Sequence, residues 1–123
     1  MNIIETKNAP AAIGPYSQAI VSAGLVYTSG QIPIDPATGS IEAADIEGQA
    51  RQAIRNLAAV LSAAGSGLDK VVKTTCFLAD MGDFAAFNAV YARYFTGKPA
   101  RSCVAVRTLP KNVLCEIELI AAL

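Results

Sequence analysis

The sequence predicts an α+β fold in which two helices cover one face of a mixed sheet. Three observations lead there. Apolar side chains recur at helical spacing in two stretches, near 46–61 and 84–94, so each stretch has one face to bury. Six short apolar or β-branched runs surround them in the order β-ββ-α-β-α-ββ. No glycine-rich phosphate loop follows any run, which argues against a nucleotide-binding fold. Packing both helices on one sheet face is the simplest layer arrangement. The opposite face is then left for a partner, so an oligomer is expected.

Residues 3–5 read as a short first strand, and NAPAAIGPY (8–16) as a loop broken by Pro10, Gly14 and Pro15. SQAIV (17–21) and LVYTSG (25–30) read as strands about a turn at 22–24. QIPIDPATGS (31–40) is excluded from a central strand, because Pro33 and Pro36 lack the ladder donor. Ile46, Ala50, Ile54, Leu57 and Leu61 form one helical stripe, and the glycines of AAGSG (63–67) can end it. KVVKTTCFLA (70–79) reads as a core strand. Asp80 reads as a cap, with Asp83 in the first turn of the helix that carries Phe84, Phe87, Tyr91 and Tyr94. That aromatic stripe reads as core, not as a ligand cage. RSCVAVR (101–107) and VLCEIELIA (113–121) read as the last two strands, paired antiparallel across TLPKN.

The 123 residues read as one domain, 1–123. The chain is 53% hydrophobic and 16% charged, against roughly 25% charged for an average domain, so part of its surface is expected to be buried by another subunit. Ten basic and ten acidic residues give a net charge of zero and no basic run, which makes nucleic acid a weak partner. The absence of histidine removes Ser–His–Asp triads, Cys–His pairs and histidine metal ligation. Cys76, Cys103 and Cys115 form no CxxC pair and read as reduced thiols of an intracellular, cytoplasmic protein. No secretory signal or membrane span is evident.

Two charged residues stand out. Arg101 opens an apolar strand in PARSCVAV (99–106), and its planar fork suits a carboxylate, although residue type alone favours a surface ion pair at the strand end. Glu116 lies within VLCEIELIA and shares its strand face with Glu118. Partial burial would raise its proton affinity toward that of a useful base, and a nearby Arg101 would lower it. Cys103 shares the strand face of Arg101 and reads as a cleft-lining residue rather than a nucleophile. Tyr16, Ser29 and Asn88 offer neutral hydrogen-bonding groups.

Together, IGPYSQA (13–19), TSGQIP (28–33), QARQAIRNL (49–57), VVKTTCFLADMGDF (71–84), FNAVY (87–91), PARSCVAV (99–106) and LPKNV…EIELIA (109–121) resemble the RidA family, also called YjgF/YER057c/UK114. The resemblance implies a chorismate-mutase-like α+β fold of the bacillus type, assembled as a homotrimeric barrel with clefts between subunits. It implies hydrolysis of 2-imino acids and their enamine tautomers to 2-oxo acids and ammonia, without metal or cofactor. The imines would come from pyridoxal-phosphate-dependent dehydratases. By motif, Arg101 would clamp the substrate carboxylate and Glu116 would position the attacking water. Tyr16, Ser29, Gly30, Asn88 and Cys103 would line the cleft. Two alternatives stay open: an RNA-acting member of the endoribonuclease or translation-inhibitor type, and a non-catalytic trimer that binds 2-oxo acids or regulates a partner.

The chain departs from the family in its short TGK link (96–98), which adds Lys98, and in Ala105, where many relatives have an acid. Strand parity adds a test. A regular five-residue loop at 108–112 would put Glu116 and Arg101 on opposite sheet faces, so a shared site requires an even connection or a β-bulge between them.

Overall fold

In a computed structural model describing residues 1–123, Asp45 starts the longer of two helices, α1 (Ile46–Ala63). Its carboxylate accepts a hydrogen bond from Gly48 N at 2.8 Å, which satisfies one of the unpaired donors of the first turn. The predicted stripe of Ile46, Ala50, Ile54, Leu57 and Leu61 is buried throughout. The helix stops at Ala64, and Gly65 follows in the left-handed conformation (φ 81°). Asp80 caps a 3-10 turn at Met81–Asp83 through Gly82 N, and that turn leads into α2 (Phe84–Tyr94).

Six strands form one sheet: β1 (Asn2–Ile4), β2 (Ala19–Ser22), β3 (Leu25–Thr28), β4 (Val71–Leu78), β5 (Ala100–Ala105) and β6 (Cys115–Ala122). Their spatial order is β1-β2-β3-β6-β4-β5. All neighbours are antiparallel except β4 and β5, which run parallel and are joined through α2, as a parallel pair requires a crossover. Both helices contribute to one core cluster with alternate residues of the sheet, including Cys76, Leu78, Cys115, Ile117 and Leu119. The other face carries no helix. One cross-strand row there holds Ile3, Ile20, Tyr27 and Ile120, and another holds Glu116, Phe77 and Val104. No helix is long and apolar enough to cross a membrane.

Two expectations are corrected. The first is the chorismate-mutase-like, closed-barrel fold class. The sheet is open, with β1 and β5 as unpaired edges, and the chain is a two-layer, ferredoxin-like α+β sandwich. The second is the hairpin across TLPKN. β5 pairs with β4, and β6 inserts between β3 and β4, so the last two strands are not neighbours. The physical reason is α2: it covers β4 and returns the chain parallel to it, leaving the antiparallel slot beside β4 for β6.

Candidate active site

Arg101 stands on β5 opposite Thr74 of β4, and Thr74 is fully buried beneath the helices. The guanidinium therefore turns toward α2. There Arg101 Nη1 donates to Asn88 Oδ1 at 2.6 Å, and its carbon lies 4.7 Å from the Tyr91 ring centre and 5.4 Å from that of Phe84. Such contacts hold a cation without neutralising it. The Tyr91 ring is fixed in turn by a 2.6 Å hydrogen bond between its hydroxyl and Thr74 Oγ1. The surface ion pair weighed for Arg101 is absent: its partner is a neutral amide, and most of its fork stays free for an anion. The adjoining cleft, about 340 Å³, is lined by Asn88, Tyr91, Phe95, Lys98, Pro99 and Arg101.

Glu116 stands on β6 opposite Phe77, on the uncovered face. Gln49 sets this strand in place from α1, its Oε1 accepting from Leu114 N at 2.7 Å. On the other side the chain after β3 carries an extra residue. Tyr27 pairs with Ile120 and Gln31 with Ile117, four steps against three. The side chain of Thr28 takes up the slack, accepting from Leu119 N at 3.0 Å. This brings Ser29 and Gly30 beside Glu116. Tyr16, Ser29, Gly30, Ile32, Pro110, Glu116 and Glu118 line a cleft of about 480 Å³. Ser29 Oγ donates to Ser17 O at 2.5 Å and tethers the segment that carries Tyr16.

Burial raises the Glu116 carboxyl above the ordinary carboxylate range, and the like charge of Glu118 adds to the effect. Arg101 takes no part, because the two residues lie on opposite faces with β4 between them. The bulge expected between Arg101 and Glu116 is therefore corrected: the irregularities sit at Val71/Lys73 in β4 and after β3. Burial raises the Cys103 thiol, and Arg101 offsets only part of this. Cys76 and Cys115 are pushed up to about 12 by burial. None of the three is a ready thiolate at neutral pH. No three Cys, Asp or Glu side chains converge as a metal-binding set.

The predicted residues thus fall into two groups. Arg101 and Asn88 meet on one face, with Cys103 next along the strand; Tyr16, Ser29, Gly30 and Glu116 meet in the other cleft. Phe84 and Tyr91, read from the sequence as core alone, also hold Arg101, and Glu118, read only as the face partner of Glu116, lines its cleft. The spacing of Phe84, Asn88 and Tyr91, four and then three, was the available signal that the aromatics share the face of Asn88.

The fold and its clefts therefore define an open, two-layer α+β sandwich with an arginine-lined cleft and a glutamate-lined cleft on opposite sheet faces. The family described as Endoribonuclease L-PSP matches residues 6–123. The 2-iminobutanoate/2-iminopropanoate deaminase of Salmonella typhimurium is 52% identical, over 96% of this chain and 94% of that protein. YyfA of Yersinia pestis, from the Rid protein family, superimposes with a TM-score of 0.96 at 54% identity, covering 99% of this chain and 98% of that one. Escherichia coli TdcF with bound serine gives 0.95 at 46% identity, covering 100% and 99%. The chain belongs to this family, the RidA/YjgF proteins.

Proposed function

We propose that this protein hydrolyses 2-iminobutanoate, 2-iminopropanoate and their enamine tautomers to 2-oxo acids and ammonia, in sites completed between the subunits of a homotrimer. The observation that carries this is the separation of its two clefts. One chain holds an anion-binding arginine and a proton-accepting carboxylate that cannot reach a common molecule. A neighbouring copy supplies the missing group to each. The uncovered row of Ile3, Ile20, Tyr27 and Ile120 offers an apolar surface for that copy.

Arg101 takes the substrate carboxylate in its free fork and fixes the imine carbon. Glu116 of the neighbouring copy accepts a proton from water as the oxygen attacks that carbon. The C=N electron pair moves to nitrogen, which takes the proton back from Glu116, giving a carbinolamine. Glu116 then accepts the hydroxyl proton and passes it to the amino nitrogen, so that the C–N bond breaks with ammonia leaving as the C=O bond forms. A proton affinity raised above that of an ordinary carboxylate makes Glu116 the better acceptor of that proton. Tyr16, Ser29 and Gly30 shape the water side; Asn88 and Cys103 shape the carboxylate side. The imines come from pyridoxal-phosphate-dependent dehydratases, and the three unpaired thiols suit the reducing cytoplasm.

The test measures ammonia released when a dehydratase generates 2-iminobutanoate. The intact protein accelerates release, and Arg101→Ala and Glu116→Gln alone do not. Co-refolding the two inactive variants restores roughly one quarter of the sites, as random assortment in a symmetric trimer requires. No acceleration by the intact protein refutes the deaminase reading, and no restoration refutes the shared site.

A further inference from the structure

Lys98 lines the arginine cleft yet has no part in the reaction above. It is exposed, and its backbone is left-handed, with φ 52°. A side chain at such an angle is unfavourable, and residues so held tend to mark functional sites. Glycine removes the strain, and Gly97 stands immediately before it with open space around it. The chain nevertheless places lysine at the strained position. The turn is pinned by Lys98 N donating to Phe95 O at 3.3 Å, and Pro99 follows. Of the four non-glycine residues with positive φ, only Lys98 faces this cleft.

Only Pro99 and Ala100 separate Lys98 from Arg101, so their Cα atoms are at most ~10 Å apart. Asn88 occupies one donor of Arg101, and this chain places no acid of its own in the cleft; the one carboxylate brought there by the neighbouring copy, Glu116, serves the water and leaves Lys98 free. Two cations at this spacing match a ligand with two anionic ends. One carboxylate meets the guanidinium fork, and the second, at the end of a short side chain, meets the ammonium. A monocarboxylic 2-imino acid leaves Lys98 facing water.

We infer that Lys98 is a specificity-determining residue that extends this cleft to dicarboxylic 2-imino acids, the imines of acidic amino acids. The inference rests on the deaminase reading for the word imino, but the recognition of two carboxylates stands on the cleft alone. Lys98 acts at the rim, so its effect is on affinity and is screened by salt.

The test is calorimetric titration of the intact protein, Lys98→Met and Lys98→Gly with 2-oxobutanoate and with 2-oxoglutarate. At low ionic strength both variants lose about three- to fivefold in affinity for 2-oxoglutarate and keep their affinity for 2-oxobutanoate, as an exposed ion pair allows. Lys98→Gly relieves the backbone angle, so an equal loss in both variants assigns the effect to the charge. A ratio of affinities that is the same in the intact protein and both variants overturns the proposal, as does failure of the intact protein to bind 2-oxoglutarate. Absence of ammonia release from 2-iminobutanoate, with the ratio still dependent on Lys98, refutes the deaminase reading and leaves the dicarboxylate site standing.

Discussion

Gly30 lies so close to Glu116 that a Cβ at position 30 would fall on the carboxylate Oε2 and within 2.8 Å of Cδ. The close approach, rather than an unusual backbone angle, is what requires glycine there. Gly30→Ala is expected to push the carboxylate aside. A carboxylate at the end of a flexible side chain moves at small cost, so stability falls by no more than about 1 kcal/mol while activity falls at least about tenfold. Thermal unfolding and ammonia release measured together check this. Equal losses in both would mean that Gly30 is needed only for folding.

Glu116 binds its proton more tightly in the folded chain than in the unfolded one, because burial and Glu118 raise it. Its stabilising contribution is present below the ordinary carboxylate value of 4.5 and is lost as pH rises through the raised one. Glu116→Gln cannot ionise and is expected to gain stability relative to the parent between pH 4 and pH 7. Urea midpoints at the two pH values check the sign; a gap that narrows with pH refutes it. For activity, Glu118→Gln removes the like charge and shifts the acid limb of the pH–rate profile to lower pH. An unmoved limb would show that burial alone sets Glu116.

The Thr74–Tyr91 bond lies beneath Arg101 and both residues are buried. Thr74→Val leaves the Tyr91 hydroxyl buried and unpaired, and Tyr91→Phe leaves Thr74 Oγ1 with only the weak Cys76 Sγ donor at 4.0 Å, at a cost of about 1–3 kcal/mol each. The double variant is expected to cost less than the sum of the two single variants, because neither partner is then stranded. A double-mutant cycle by urea denaturation measures the difference. Simple additivity would mean that the bond does not hold the Tyr91 ring.

Ile120 sits in the apolar row of the uncovered face. Sedimentation is expected to give a mass near three times the 12.8 kDa chain. Lys73 of β4 stands opposite Ile120, so Ile120→Lys sets two cations side by side at the end of that row and is expected to yield folded monomers without deaminase activity. An active Ile120→Lys monomer would refute the shared site.

The stripe of α1 was legible because its contacts follow a helical period that a sequence displays directly. The alternation in β6 was equally legible: it put Glu116 and Glu118 on one face and Cys115, Ile117 and Leu119 on the other, as observed. Pairing was not. Nothing local to 101–121 shows that β6 passes β5 to lie beside β3 and β4, since register depends on partners as far apart in sequence as Leu78 and Cys115, or Leu25 and Ala122. The parity argument assumed a hairpin that does not exist, and the irregularity expected to bring Arg101 and Glu116 to one face is not there. The faces are opposite, set through β4. The cradle of Arg101 was partly hidden because Phe84 and Tyr91 do two jobs, filling the core and holding the cation.

The position of β6 has a consequence for how the chain acquires its shape. β1, β2 and β3 form one ribbon, β4 and β5 another, and only the final strand joins them. The arginine cleft draws on residues 88–101 and closes as a local βαβ unit, whereas the glutamate cleft spans residues 16–118. Loop closure delays the longer-range pairing. On a ribosome the sheet stays in two pieces until β6 emerges, so anion binding can mature before the chemistry does. Pulsed hydrogen exchange protecting β4 before β3 would record that order.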